Sequence, residues 1–267
     1  MKRVSLLRMV RRTVECEIAY RVSRLRVLER LAGNPGGIAI RQLAGGAVAL
    51  MARELAVPSF NGVAGLRAGH EQEIEGLAAW YRAEGVPAQF EIVPAYYDWA
   101  LGRELARLYY YQSGLHAALV CEPRLHLPTP AAGIAIERIA SRAALDALEV
   151  FAAGSRGLAV DDFKANVLEW LGPRGRTLYL ARLHGKPAAT AILYIADKVG
   201  YCAEAAIDPA VRRRGLGTAL LDRLIADASA AGVDFVCSGA ALLSEPQRIM
   251  ERAGMRVLFV RGLWTAL

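Results

Sequence analysis

The segment from Glu204 to Thr218 constrains the fold more than any other part of the sequence, because it predicts a strand, a basic turn and a helix in immediate succession. The strand is apolar and ends near Ile207. Gly215 and Gly217 let the main chain approach a ligand closely, and the free N–H groups of the first helical turn present partial positive charge there. The segment therefore predicts a site that binds a diphosphate through backbone amides first and arginines second.

Two other phosphate-binding turns do not fit these residues. The turn lacks the Lys-Ser/Thr ending of a Walker A loop, and it lacks the three-glycine spacing and following acidic residue of a dinucleotide fingerprint. A plainer alternative is a basic helix start that follows a strand and binds nothing. The elements predicted on either side favour the phosphate site.

The predicted elements around the turn come in a regular order. Strands are expected at 133–139, 177–183, 188–196, 201–207, 234–239 and 256–261. Helices are expected around 142–153 and 161–171, and the apolar face of a third helix runs from Leu216 to Ala228. A fourth helix begins with a capping box of Ser244 and Gln247 and ends at Gly254.

This order, together with the pattern Arg212-x-x-Gly215-x-Gly217, resembles the acyl-CoA-binding region of the GNAT acyltransferase superfamily over roughly residues 131–267. The resemblance implies acetyl-CoA, or another acyl-CoA, as co-substrate and no metal. It also implies that the CoA arm lies along the strand that ends at Ile207. The residues implied for cofactor binding are Ala205, Ala206, Ile207, Arg212, Arg213, Arg214, Gly215, Leu216, Gly217 and Thr218.

The N-terminal half repeats this logic in reduced form, as an old duplication would leave it. A hairpin over 38–54, a strand over 61–66 and a helix over 70–83 are expected. The stretch Gly85 to Phe90 parallels Gly232 to Phe235. A second parallel joins Gln112-Ser113-Gly114-Leu115-His116 to Arg252-Ala253-Gly254-Met255-Arg256.

The first copy has lost its phosphate turn, as in tandem GNAT proteins with one degenerate unit. It carries Leu66-Arg67-Ala68-Gly69-His70-Glu71, with one glycine and most of the charge missing. We therefore assign the N-terminal half a packing or substrate-wall role. The fold class is α/β (α+β), with two tandem GNAT-like domains that each have a mixed, mostly antiparallel sheet flanked by helices. The expected parts are a basic amphipathic helical segment (1–36), a degenerate domain (37–122), a proline-rich linker (123–130) and an acyl-CoA-binding domain (131–267).

The resemblance implies direct transfer of an acetyl or other acyl group from CoA to a primary amine in a ternary complex. Glu204 is the candidate base, since burial in the cleft would raise its pKa; a solvent-facing strand carboxylate or an ion pair is the alternative. Strand alternation sets Glu204 on one face with Cys202 and Ala206. Many relatives carry a leaving-group tyrosine where this chain has Met250, so Ser238, Ser244 or solvent would have to replace it. Ser244 is the weak candidate acid, and the plainer uses of the two serines are strand packing and helix capping.

Composition limits the remaining classes. The net charge is +7, but residues 1–36 hold nine Lys and Arg against three Asp and Glu, so the excess is local and nucleic acid is not expected as a partner. The sequence has no run of 18 apolar residues, so no membrane-spanning helix is expected. Scattered residues Cys16, Cys121, Cys202 and Cys237 favour a reducing cytoplasm and no metal site. The acceptor, a small molecule or a protein, stays open, as does a homodimer, and the alternative function is a non-catalytic acyl-CoA sensor or scaffold.

Overall fold

The structure is a computed structural model of the chain, and it describes residues 5–55, 57–125, 128–139, 146, 150 and 175–266. Two compact units divide it. Unit 1 contains Met1–Ala118, Ala240–Leu242 and Val257–Leu267, and unit 2 contains Leu119–Gly239 and Leu243–Arg256. The domain boundaries expected from sequence stay a prediction.

Unit 1 begins with a long helix and continues as a mixed sheet with helices. In chain order its elements are α1 (Leu6–Glu29), β1 (Ile38–Gln42), β2 (Val48–Ala52), β3 (Gly62–Ala64), α2 (Glu71–Ala83), β4 (Gln89–Ile92), α3 (Trp99–Arg107), β5 (Tyr110–Cys121) and β11 (Arg256–Ala266). The strand order is β1-β2-β3-β4-β11-β5, with β3 parallel to β4 and β11 antiparallel to β4. The expected helix at the N-terminus and hairpin after it are confirmed.

The core of unit 1 forms where α2 and α3 cover the sheet. Phe90, Leu101 and Ile74 are fully buried there, and the Tyr110 ring meets Phe90 edge-on at 4.9 Å between centroids. A smaller cluster holds α1 through Val10 and Val14. The N-terminal basic segment is therefore a packed helix over most of its length.

A buried ionic cluster joins α1, β4 and β11. Arg261 binds Glu17, and its second terminal nitrogen lies 2.8 Å from Glu91. Arg21 pairs with both oxygens of Glu91, at 2.5 and 3.0 Å. Burial acts to raise the pKa of Glu91, but Arg21 and Arg261 outweigh it and hold that pKa far below its usual range. The four charges balance, which makes their burial tolerable.

Unit 2 is an antiparallel meander that ends in a parallel strand pair. Its elements are β6 (Ile134–Ile139), β7 (Arg176–Leu183), β8 (Lys186–Ala196), β9 (Val199–Ile207), α4 (Leu216–Ala230), β10 (Phe235–Ala241) and α5 (Glu245–Arg252). The strand order is β10-β9-β8-β7-β6, and only β9 and β10 are parallel among these strands. The predicted order of elements is confirmed here, while the helices expected around 142–153 and 161–171 lie outside the described residues except for Asp146 and Val150.

One carboxylate ties α4 to the meander. Oδ2 of Asp227 accepts hydrogen bonds from Tyr179 at 2.7 Å, Arg223 at 2.9 Å and Arg138 at 3.0 Å. Burial acts to raise the pKa of Asp227, but these hydrogen bonds outweigh it, and the pKa is lowered. Arg124, which lies in the proline-rich segment, pairs with Asp222 of α4. The helix is thereby fixed on the sheet, with its first turn at the end of β9.

The parallel drawn between residues 112–116 and 252–256 is wrong by several positions. Gly114 lies inside β5, whereas Gly254 follows α5 in a left-handed conformation with a φ of 79°. The residue that follows α3 in the same way is Tyr109, with a φ of 61°. A left-handed residue at a helix end is usually glycine, so Tyr109 gave no sequence signal for the end of α3.

Candidate functional site

The predicted phosphate turn lies between β9 and α4 in unit 2. Asp208 starts it, because its Oδ1 accepts a hydrogen bond from the N–H of Ala210 at 2.9 Å and holds a short 3₁₀ turn over Pro209–Val211. Arg213 and Gly215 then take left-handed conformations, with φ of 63° and 83°. Left-handed backbone costs a non-glycine residue about 1–2 kcal/mol, so a glycine suits the second position.

The first turn of α4 offers N–H groups to a ligand. Gly215 is the N-cap residue and has no side-chain oxygen to accept from them. The N–H of Ala219 donates to the carbonyl of Gly215 at 3.0 Å and begins the helical ladder. The N–H groups of Leu216, Gly217 and Thr218 therefore have no acceptor within the helix. Together with the helix dipole, they form an anion-binding end.

A groove of about 580 Å³ opens at this turn. Arg212 and Arg213 line it, whereas Arg214 is not among its lining residues. The remaining lining comes from the end of β9, the start of α4 and one face of α5. The lining residues are Ala205, Ala206, Ile207, Arg212, Arg213, Gly215, Leu216, Gly217, Thr218, Glu245, Pro246, Ile249 and Arg252.

The wall formed by α5 was missed by sequence reasoning. Glu245, Ile249 and Arg252 lie about one turn apart on the helix, and Arg252 pairs with Glu245 at 2.9 Å. Both side chains are more than half exposed, so this ion pair is weak and Arg252 is free to exchange its carboxylate for a ligand phosphate. The helical spacing of these residues is the only signal that the sequence carries, and it does not identify the groove.

Gly217, in the first turn of α4, lies beside one side chain from β9 and one from α5. A Cβ atom at this position would lie 3.1 Å from Cδ1 of Ile207 and 3.1 Å from Cδ1 of Ile249. These distances are shorter than ordinary contacts between carbon atoms. The glycine therefore keeps the floor of the groove open, and its close approach to a ligand stays a prediction.

The strands β9 and β10 part at the inner end of the groove. Their parallel ladder pairs Val199 with Phe235 and ends where Cys202 faces Ser238. From Ala203 to Ile207, β9 continues beyond that ladder. A strand edge of this kind presents main-chain N–H and C=O groups to an extended ligand.

Glu204 lies in a β-bulge at this edge. Thr190 of β8 pairs with Ala206, and Ile192 pairs with Ala203, so Ala191 between them faces two residues, Glu204 and Ala205. Glu204 has a left-handed φ of 51° and a half-buried side chain. The expectation that simple alternation runs through Glu204, from Cys202 to Ala206, is wrong because the bulge breaks the period of two. The role of Glu204 as a base stays a prediction.

A smaller apolar pocket of about 100 Å³ continues from the groove toward the point where β9 and β10 part. Met250 lines this pocket from α5. The full lining is Ala191, Cys202, Ala203, Ala205, Ile207, Gly217, Leu220, Leu221, Leu224, Ser238, Pro246, Ile249 and Met250.

The two serines considered as proton donors have structural partners. Ser244 caps α5 by accepting from the N–H of Gln247 at 3.4 Å, and it lines neither cavity. Oε1 of Gln247 reaches back to the N–H of Leu243 at 2.7 Å, one residue earlier than the capping box predicts. Ser238 donates to the carbonyl of Cys202 at 2.8 Å. The assignment of Ser244 as the acid therefore gains no support from this geometry.

The corresponding turn in unit 1 is closed by its own side chains. The N–H of Gly69 donates to the carboxylate of Glu71 at 2.8 Å. The N–H of Arg67 donates to Nδ1 of His70 at 3.1 Å, and Nε2 of that ring binds the carbonyl of Ala44 at 2.9 Å. An internal carboxylate thus occupies the N–H group that a phosphate would need.

Residues outside the groove were also considered as site residues. Asp161 and Asp162, an acidic pair that could cap a helix or hold a metal, lie outside the described ranges. Trp99, Tyr109 and Tyr111 are exposed, while Tyr110 is in the core. In the part of the chain that the structure describes, no group of three His, Cys, Asp or Glu side chains is arranged to hold a metal. The helices described there include none with the length and apolarity needed to cross a bilayer.

Comparison with known proteins gives a family for part of the chain. The sequence profile of the Acetyltransferase (GNAT) family matches residues 145–241, which include the turn, β9 and α4. No curated protein sequence matches the chain.

Solved structures extend the likeness to most of the chain. A GCN5-related N-acetyltransferase from Kribbella flavida is 21% identical, with 93% of this chain and 95% of that chain covered and a TM-score of 0.65. A tandem GNAT protein from the clavulanic acid biosynthesis pathway is 15% identical, with coverage of 93% and 94% and a TM-score of 0.60. A GCN5-related N-acetyltransferase from Sphaerobacter thermophilus is 16% identical, with coverage of 76% and 71% and a TM-score of 0.60. These likenesses show that the chain shares the GNAT fold, and the profile match places a GNAT-family domain at residues 145–241.

Proposed function

We propose that the chain is an acyl-CoA-dependent N-acyltransferase that moves an acetyl or other acyl group to a primary amine. The observation that carries the proposal is the open, uncapped first turn of α4 at the head of a groove that runs along the edge of β9. Coenzyme A has the matching shape, with a diphosphate at one end and an extended arm that carries amide groups.

The diphosphate is held by backbone donors and by cations. Three N–H groups, those of Leu216, Gly217 and Thr218, point from the helix start, and Arg212 and Arg213 stand beside them in the groove. Because the main-chain amides have fixed positions, they bind phosphate without the entropy cost of ordering long side chains. The arginines add charge that neutralises the dianion.

The arm of CoA lies along β9 beyond the end of the ladder with β10. Its amide groups pair with main-chain groups near Ala205 and Ile207, as an added strand would. The thioester then reaches the bulge at Glu204. A main-chain N–H group turned outward by the bulge stabilises the oxyanion that forms when the amine attacks.

Catalysis requires a neutral amine and direct attack on the thioester carbonyl. Glu204 is the proposed base, acting directly or through one water. The bond from the amine nitrogen to the acyl carbon forms, the bond from that carbon to sulfur breaks, and CoA leaves as the thiol after it takes a proton. The donor of that proton is solvent in this proposal, because Met250 has no proton to give.

A second candidate function is a non-catalytic acyl-CoA sensor or scaffold. Met250 favours it, since the side chain stands at a position where a leaving-group acid would be useful. The engaged hydroxyl groups of Ser238 and Ser244 favour it further. In that case the same groove binds acyl-CoA and no acyl group leaves.

Release of free thiol separates the two candidates. Protein, acetyl-CoA and a panel of primary amines are mixed, and thiol is followed by a colorimetric reagent, with calorimetry of acetyl-CoA binding alongside. We expect amine-dependent thiol release that falls in Glu204→Gln. Tight binding without release across the panel would favour the sensor, and no binding of CoA or acetyl-CoA would refute both.

The cellular setting is part of the proposal. The four cysteines are buried and form no disulfide bond, which suits a reducing cytoplasm. The acceptor is a small amine or a protein amine, and a homodimer is compatible with the proposal. The self-closed turn at Gly69 supports a packing role for the N-terminal half.

A further inference from the structure

We propose that the apolar pocket beneath the groove binds the acyl chain of the donor, and that it favours chains of three or four carbons over acetyl. This inference rests on the proposed function, because it concerns the acyl group of the same CoA thioester. It names a substrate class that the proposed function leaves open.

The pocket is continuous with the groove. Both cavities are lined by Ala205, Ile207, Gly217, Pro246 and Ile249, so a ligand chain passes from one to the other between these residues. Gly217 leaves the passage open, since a Cβ atom there would crowd both isoleucines. A chain that follows β9 inward from the phosphate turn therefore arrives at the pocket with its last atoms.

The lining suits hydrocarbon better than the CoA arm itself. Apart from Ser238, every lining side chain is alanine, leucine, isoleucine, proline, methionine, cysteine or the bare Cα of glycine. The hydroxyl of Ser238 already donates to the carbonyl of Cys202 at 2.8 Å. The arm carries amide and hydroxyl groups that would lose their hydrogen bonds in such a place, whereas an acyl chain loses none.

The volume sets the length of the chain. An apolar cavity of about 150 Å³ holds the six carbons of benzene, so about 100 Å³ corresponds to about four carbons. Short side chains at Ala191 and Ala203 leave this space, and Met250 closes one side of it. Acetyl would fill half of the pocket, and a six-carbon chain would exceed it.

The expected preference follows from burial of methylene groups. Each buried methylene strengthens binding about fourfold, which gives about fourfold for propionyl and about fifteenfold for butyryl relative to acetyl. Hexanoyl should lose this gain in affinity, because its two further carbons would fit only if the residues that line the pocket moved apart.

Calorimetry on the full chain tests this directly, with CoA, acetyl-CoA, propionyl-CoA, butyryl-CoA and hexanoyl-CoA as ligands. We expect affinity to rise from acetyl to butyryl and to fall at hexanoyl. If CoA binds but all four thioesters bind with equal affinity, or acetyl-CoA binds best, the acyl-pocket proposal is refuted while the proposed function stands. If CoA and its thioesters all fail to bind, both are refuted.

Two variants change the pocket in opposite directions. Met250→Ala enlarges it and should move the best chain from butyryl to hexanoyl. Ala191→Val shrinks it and should remove the advantage of butyryl over acetyl. Met255→Ala is the control, because Met255 is a buried methionine near α5 that does not line the pocket. An unchanged chain-length profile in folded Met250→Ala, as judged by its melting transition, would overturn the assignment.

Discussion

Gly217→Ala tests how the floor of the groove is built. The new methyl group would lie 3.1 Å from Cδ1 of Ile207 and of Ile249, at a position that borders both the groove and the apolar pocket. Position 217 otherwise favours alanine over glycine, because it lies in the first turn of α4 and has helical backbone. The variant should therefore separate ligand binding from stability.

The magnitudes follow from two opposed effects in the free protein. Alanine gains about 0.8–1 kcal/mol over glycine in a helix, and the close contacts with two flexible side-chain ends cost about 1 kcal/mol. The net change in the free energy of unfolding should be small. In the complex, a bound CoA arm prevents Ile207 and Ile249 from moving into the groove, so the overpacking of about 1–3 kcal/mol appears in binding, as a roughly 5- to 150-fold weaker Kd.

Two measurements on one variant decide the matter. Calorimetry with CoA should show the weaker Kd, and urea unfolding should show a stability within about 1 kcal/mol of the parent. Gly76→Ala is the matched control, since Gly76 lies in α2 with open space around its Cα, and it should stabilise unit 1 by about 0.5–1 kcal/mol without any change in CoA binding. A Kd for Gly217→Ala within twofold of the parent would refute the placement of CoA over this glycine.

Three further outcomes follow from named groups. Glu204→Gln should lower kcat by about 10²–10⁴ and leave the Kd of acetyl-CoA nearly unchanged, in stopped assays of thiol release; equal kcat would remove Glu204 as the base. Arg261→Met should destabilise the protein by about 3–5 kcal/mol in urea, because Glu17 stays buried without its cation, whereas Glu91 keeps Arg21. Arg11→Met on the exposed face of α1 should change stability by less than about 1 kcal/mol. Asp227 has a lowered folded pKa, so its contribution to stability is complete above the unfolded pKa of about 4 and is lost as the pH falls through the folded pKa; Asp227→Asn should flatten this acid limb in pH-dependent melting.

The backbone path of the turn between β9 and α4 was predictable because it depends on residues that are close together in the sequence. Arg212, Gly215 and Gly217 follow one another within six residues, and a glycine at the start of an amphipathic helix restricts the backbone in a known way. The same holds for the hairpins of unit 2, where His184 and Gly185 take the left-handed conformations of a tight turn.

The other wall of the groove was not predictable, since it depends on residues that are distant in sequence. Ile249 and Arg252 come more than thirty residues after Gly215 and reach the groove through the packing of α5 against α4. Arg214 shows the reverse case: adjacent in sequence to the turn, it does not line the groove. Sequence neighbours share a backbone path, but side-chain direction is set by the conformation at each residue.

The bulge and the end of α3 escaped prediction for a common reason. Glu204 and Tyr109 both have positive φ, and neither is a residue type that signals it. Period-two alternation and glycine-based helix ends are rules for typical backbone. Such exceptions are found where tertiary contacts outweigh local preference, and Glu204 lies at the edge of the proposed active site.

The last strand of the chain, β11, belongs to unit 1, so the N-terminal half of the sequence needs the C-terminal end of the chain in order to fold. Cutting the chain in the proline-rich segment would remove β11 from unit 1, so β4 would lose its antiparallel neighbour and present a bare edge to other molecules. The same cut would leave Glu17 and Glu91 without Arg261. The two halves should therefore aggregate when they are produced separately. During synthesis, unit 1 cannot complete its sheet until the C-terminal residues have been made.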